Sequence, residues 1–411
     1  MFYQLIQKKR DLWFQSPDCT VHGLVSYIQH RGMMRDAQIE AIKTYLYLKI
    51  ACQGKPLWLL FAEGVFNETD VDAEEINAEA REVMMQNPAA LALYQYSRQK
   101  DRNGKQIASE LEQFIRHHAR EIDYEQVLRD IFYKVTYSDY LFSLPMGAGK
   151  TYLMAAFIYI DLYFAQIEPF NPIWAHNFLI LAPSGLKSSI VPSLRSIQNF
   201  DASWLFPPAT AASLKRLMKF EVLDEQKSAK KSNVIKNPNA FKINQHFEGG
   251  TMMGLVAVTN AEKVILDRWD EKDQNPSLLS DDERRQLAVA NELRDMIGKM
   301  PYLSIFIDEV HHASDGEIKL RQVVTGWATE TKSFCNVLGF SGTPYLGKAE
   351  KVTLGGCFDI KNTNITNVVY YYPLIEGIDN FLKRPEVKFT DNDMLTIVNQ
   401  GVREFLDQYK D

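Results

Sequence analysis

The stretch Tyr140-Leu-Phe-Ser-Leu-Pro-Met-Gly-Ala-Gly-Lys-Thr151 decides the fold. Its first half, Tyr140 to Leu144, is a short apolar run closed by Pro145, which predicts a fully buried strand. From Thr151 to Ala165 the apolar residues continue at helical length. Strand, glycine turn and helix in that order are the setting a phosphate-binding loop requires. Gly147 and Gly149 let the backbone turn tightly, so the N–H groups around Ala148 and the helix N-terminus point at one anion. Lys150 is then placed to reach β and γ phosphates, and the Thr151 hydroxyl to hold Mg²⁺. The expected ligands are ATP and Mg²⁺. Leu144 stands where the strict pattern has a small residue.

Working outward, four more apolar runs read as buried strands: Phe178 to Ala182, Leu255 to Val258, Leu303 to Ile307 and Val337 to Phe340. Helical patterns lie between them, including Leu186 to Ile197, and Val368 to Tyr372 looks like a closing strand. Alternating strand and helix predict an α/β domain over 137–372 built on a parallel sheet. The run Leu303-Ser-Ile-Phe-Ile-Asp-Glu-Val-His311 ends in two carboxylates. Asp308 therefore falls at the carboxyl edge of the sheet, where it would complete the Mg²⁺ shell. Glu309, next to it, is the candidate base for the water that attacks the γ-phosphate.

Composition narrows the function classes. The 411 residues carry 46 Lys+Arg against 52 Asp+Glu, a net charge of −6, which excludes a histone-like coat and leaves local charge to decide. Four cysteines without a CxxC pair suggest neither a disulfide framework nor structural zinc. The N-terminus lacks the layout of an export signal, and the most apolar stretch, 152–167, is short for a bilayer and contains Asp161. A cytoplasmic protein is expected.

Residues 1–52 read as an N-terminal extension and 53–136 as a helical insertion, because Ile107, Leu111, Phe114, Ile115 and then Val127, Leu128, Ile131, Phe132, Val135 recur at helical spacing. The span 67–86 holds seven acids against Arg81, a solvated face in its plainest reading. The span 185–242 is the reverse, with ten Lys/Arg against four acids. Its stretch 226–239 reads as a loop, and 373–411 as a linker and the start of a truncated second lobe, with Ile397 to Tyr409 as that lobe's first helix.

Together these motifs resemble the superfamily 2 helicases and translocases of the DEAD/DEAH-box type, and within them the ATPase (Res-type) subunits of type III restriction enzymes and related defence helicases. Asp308-Glu-Val-His311 looks like motif II, with His311 linking the ATP site to the rest of the lobe. Ser341-Gly-Thr-Pro344 looks like motif III, whose Ser341 and Thr343 hydroxyls couple hydrolysis to movement. Ala182-Pro-Ser-Gly-Leu-Lys187 resembles motif Ia and Val258-Thr-Asn260 motif Ib. Pro183, Ser184, Lys187, Thr259 and Asn260 would then touch a nucleic-acid backbone. Arg35-Asp-Ala-Gln38 is similar to the adenine-reading Q motif, although the family usually places it much nearer the phosphate loop.

The resemblance implies the first RecA-like lobe of an ATP-driven motor on DNA or RNA. It also implies a second RecA-like lobe with an arginine finger, in a longer chain or on a partner; nothing after Pro344 matches one. The alternatives are an ATP-switched partner-binding module that moves no strand and, less favoured by the Ser-Gly-Thr-Pro motif, a small-molecule phosphotransferase.

Overall fold

A computed structural model describes residues 2–67, 76–100, 104, 106, 108–182, 194–223, 237–247, 252–261, 264, 292–308, 315–330, 333–343, 345–354, 358–382, 398 and 402–403; for 315–319, 330, 345–354, 358–364 and 379 it describes only the backbone. The chain divides into two units, Met1–Pro373 and Leu374–Asp411. In the second, the helix Leu374–Asn380 is described.

The first unit is organised by a seven-stranded sheet in the order β3-β4-β2-β5-β6-β1-β9. Its strands are β1 (Ser138–Ser143), β2 (Asn177–Ala182), β3 (Lys219–Val222), β4 (Leu255–Asn260), β5 (Leu303–Asp308), β6 (Phe334–Ser341) and β9 (Val368–Tyr371). Every pairing between them is parallel. All seven carboxyl ends therefore lie along one edge. The four-residue β3, only half-buried, carries no apolar run and escaped the sequence pattern. So did β7 (Tyr345–Leu354) and β8 (Phe358–Asn364), an antiparallel pair separate from the main sheet.

Alternate residues of each strand face opposite sides. On one side Leu179, Leu181, Ala257, Ile305 and Val337 share a core with Ile243, Ile297, Val324 and Trp327 from the covering helices. On the other side lies an aromatic layer. Phe142 packs against Phe157 at 5.0 Å, and Phe340 sits 5.8 Å from Phe306 and 6.1 Å from Phe157.

Phe157 belongs to α9 (Lys150–Ile167), whose residues from Leu153 to Leu162 are all buried, so that middle stretch is apolar almost all round. Its outer cover is α3 (Asp36–Ile50), whose Tyr45 ring stacks on Phe157 at 4.1 Å. Each such fully buried ring contributes about 1.5–3 kcal/mol. The apolar stretch 152–167 is thus a core helix, and among the described residues no helix is long and apolar enough to cross a membrane.

The 53–136 segment is helical: α4 (Leu57–Ala62), α5 (Ala78–Gln86), α6 (Pro88–Ser97), α7 (Ser109–His117) and α8 (Tyr124–Ile131). Phe132 and Val135 are not on α8 as their spacing suggested, because the helix ends at Ile131 and Tyr133 and Lys134 both adopt positive φ. Phe2 of α1 (Phe2–Gln15) packs on Phe61 at 4.4 Å and on Tyr96 at 5.0 Å, joining extension and insertion. Trp58 donates to the Val135 carbonyl at 3.1 Å, just ahead of β1. The 226–239 stretch expected as a loop lies mostly outside the described residues; from Pro238 it is helical, through Phe247. Of the helix expected over 186–197, residues 194–197 are described and helical. The acidic run at 68–75 lies outside the described residues, while Glu79 and Glu82 pair with Arg120 on the surface.

Candidate nucleotide-binding site

β1 ends at Ser143, and six intervening residues lead to the start of α9 at Lys150. The turn between them depends on two left-handed glycines, Gly147 at φ 80 and Gly149 at φ 85. Gly149 is the N-cap of α9, with no side chain capping the helix. The first-turn N–H groups of α9 are consequently directed at the mouth of the loop, where the helix dipole also favours an anion. Ala148 is buried inside the turn, its N–H given to the Pro145 carbonyl at 3.2 Å; Lys150 and Thr151 are half-exposed.

The sheet brings two further elements to this rim. β6 lies between β1 and β5, and its register sets Ser341 level with Ser143 and Phe340 level with Asp308. The Leu144 N–H donates to the Ser341 carbonyl at 2.9 Å, extending the ladder into the loop. Ser341 Oγ donates to the Thr343 carbonyl at 2.8 Å and accepts the Thr343 N–H at 3.2 Å, which fixes the turn after β6. Ser341 is buried and Thr343 exposed. The phosphate loop, the Ser-Gly-Thr turn and Asp308 thus occupy the carboxyl ends of three adjacent strands. Glu309 and His311 lie outside the described residues, as do Pro183, Ser184 and Lys187.

The structure also brings Arg35 and Gln38 to the loop, across a chain separation of more than a hundred residues. Arg35 Nη1 donates to the Gly147 carbonyl. Gln38 Nε2 donates to the Gly149 carbonyl at 3.0 Å, while its Oε1 accepts the Arg35 backbone N–H at 2.9 Å. Gln38 is only 4% exposed. A Cβ on Gly149 would stand 2.5 Å from Gln38 Nε2, so close approach and positive φ both require glycine there.

Sequence reasoning missed what holds α3 in this position. Lys49, near the end of α3, meets Asp161 of α9 at 3.2 Å, with both side chains essentially excluded from solvent. Asp161 also accepts from Tyr45 Oη at 2.8 Å and from the Ala175 N–H at 3.2 Å. Burial pushes the Asp161 carboxyl up; Lys49, Tyr45 and the Ala175 N–H pull it back. The available signal was a lone charge set in or beside an apolar run, Lys49 after Tyr45–Leu48 of α3 and Asp161 within 152–167 of α9, because a buried charge needs a partner.

At the far edge of the sheet, Thr259 is buried and its hydroxyl donates to the Leu223 carbonyl at 3.1 Å, so it holds β4 to the end of β3. Asn260 follows at the strand's end, half-buried. In the basic span, Lys215 and Lys242 donate to the Phe200 and Val222 carbonyls at 3.1 and 3.0 Å. Arg195, Arg216 and Lys219 are exposed.

A parallel α/β sheet with a glycine loop from β1 into α9, and a carboxylate on the same edge, defines a RecA-like P-loop ATPase domain. The family described as type III restriction enzyme, res subunit, a superfamily 2 helicase-type ATPase family, matches residues 112–346. The chain belongs to that family. Arg35, Gln38 and Lys49 precede the matched span. No curated protein matches the chain.

Proposed function

We propose that this chain is the ATP-binding lobe of a motor that hydrolyses Mg-ATP to move along nucleic acid, with duplex DNA as the track. The observation that supports this reading is the shared rim: loop, Ser341 turn and Asp308 on β1, β6 and β5. Family membership supports the ATP-dependent helicase-type motor. That motor acts in the cytoplasm in restriction or phage defence.

The residues present suit a magnesium nucleotide. The loop and the uncapped start of α9 turn N–H donors toward phosphate oxygens, and Lys150 offsets their charge. Thr151 and Asp308 would hold Mg²⁺, which when bound offsets the charge that develops on the transferred phosphoryl group. Glu309 takes the proton from the attacking water. His311, Ser341 and Thr343 carry the change outward to the lobe. Pro183, Ser184, Lys187 and Asn260 follow the phosphate backbone, with Thr259 holding the strand end that carries Asn260; such contacts are independent of sequence. A second RecA-like lobe, in a longer chain or a partner, supplies the arginine that completes the site.

ATP turnover with and without duplex DNA or RNA, measured on the chain together with that second lobe, tests the proposal. Duplex DNA should stimulate turnover. Lys150→Ala should remove nucleotide binding, and Glu309→Gln should keep it while lowering turnover by a factor of about 100 or more. Nucleotide binding with no response to any nucleic acid would replace the motor with an ATP-switched partner-binding module.

A further inference from the structure

Gln38 resembles an adenine reader, but in this structure its amide is a strut. Its Nε2 is committed to Gly149 and its Oε1 to Arg35, and the side chain is buried. A different group stands open beside the loop. Tyr152, in the first turn of α9, is 41% exposed, and its ring edge comes within 3.8 Å of the position a Gly149 Cβ would take. Trp204 covers the ring in a parallel stack, with centroids 5.6 Å apart and planes 9° from parallel. Phe200 meets Trp204 edge-on at 5.2 Å.

This platform is held from below. Asp201 accepts the Ser203 N–H at 2.9 Å, and Tyr27 of the helix His22–Arg31 donates to the Phe206 carbonyl at 3.1 Å. An aromatic side chain left this exposed in the first turn behind a phosphate loop, yet fixed by a stacked tryptophan, is preorganised to receive a flat ligand.

We propose that the Tyr152–Trp204 stack seats the base of the bound nucleotide, with Gln38 positioning the loop. The proposal rests on the nucleotide-binding reading above and adds the residues that recognise the base. Stacking accepts any base with a π-face, so the site should discriminate weakly between ATP and GTP.

Calorimetric titration of the full chain with Mg-ATP, Mg-GTP and Mg-tripolyphosphate tests this, because tripolyphosphate engages the loop and has no base. Wild type should bind ATP and GTP within a few-fold of each other, and both more tightly than tripolyphosphate. Tyr152→Ala should weaken both nucleotides by about tenfold, equivalent to about 1.4 kcal/mol, and leave tripolyphosphate unchanged. Tyr152→Phe should restore nucleotide affinity, since the ring and not the hydroxyl makes the seat. Nucleotide binding should also quench tryptophan fluorescence in wild type and not in Trp204→Phe. Equal wild-type affinity for ATP and tripolyphosphate, or a Tyr152→Ala variant that keeps ATP affinity within twofold, would overturn the base seat and leave the phosphate loop standing. Wild type that binds none of the three would overturn the loop reading and the base seat together.

Discussion

Replacing Lys49 by methionine tests whether the buried contact between α3 and α9 sets the geometry of the phosphate loop. The substitution keeps most of the length of the side chain and deletes its charge, leaving Asp161 fully buried with only Tyr45 Oη and the Ala175 N–H as partners. Stranding one member of a buried ion pair costs about 3–5 kcal/mol, a large share of the roughly 5–15 kcal/mol that stabilises a folded domain. Without Lys49 the effect of burial on Asp161 is less opposed, so its carboxyl rises further above the unfolded value near 3.9. An acid whose folded pKa is raised binds more protons in the folded state, and stability then falls as pH rises. The deficit of Lys49→Met relative to wild type should therefore grow from about pH 5 to about pH 8. Urea denaturation followed by far-UV circular dichroism at both pH values measures it. The double variant Lys49→Met with Asp161→Leu should recover most of the loss, because no uncompensated charge remains. Mg-ATP affinity should follow the same order, since α3 carries Arg35 and Gln38 to the loop. A single variant as stable as wild type at both pH values would refute the reasoning.

Two further outcomes are expected. Gly149→Ala puts a Cβ 2.5 Å from Gln38 Nε2 at φ +85, so it should cost about 1–2 kcal/mol from the backbone alone and weaken Mg-ATP binding further by displacing Gln38; adding Gln38→Ala should return part of the loss, and unchanged binding in Gly149→Ala would show that the loop tolerates a side chain. His176 is buried against Tyr302 at 4.1 Å, and burial lowers its pKa, so it stays neutral when folded while the unfolded chain takes up a proton near pH 6.5. Stability should be fully present above that pH and decline as pH falls below it, and His176→Phe should lack this component in denaturation curves at about pH 7 and about pH 5.

The stretch from Tyr140 to Thr151 was legible as strand, loop and helix because its signals are local: a buried apolar run, two glycines and an apolar helix. Asp308 at a strand's carboxyl end was legible for the same reason. Strand β3 and the β7–β8 pair were not, since β3 is half-polar and β7 and β8 carry no long apolar run. Val135 matched the helical period of α8 and fell outside it, because periodicity does not register the two positive-φ residues that end the helix.

By itself, then, the sequence determined a P-loop α/β domain, its glycine loop between strand and helix and the acidic strand end, all of which are written in contiguous residues. Tertiary structure alone decided that β6 separates β1 from β5, placing Ser341 between the loop and Asp308. It alone decided that α3 lies on α9 through Lys49 and Asp161, so that Gln38 reaches Gly149 and leaves Tyr152 open beside the loop. Those outcomes come from burying the apolar faces of two helices, with Lys49 on one and Asp161 on the other, against the same sheet. A charge in the interior is stable only beside its opposite, and that pairing joins residues more than a hundred positions apart, which no local pattern can show.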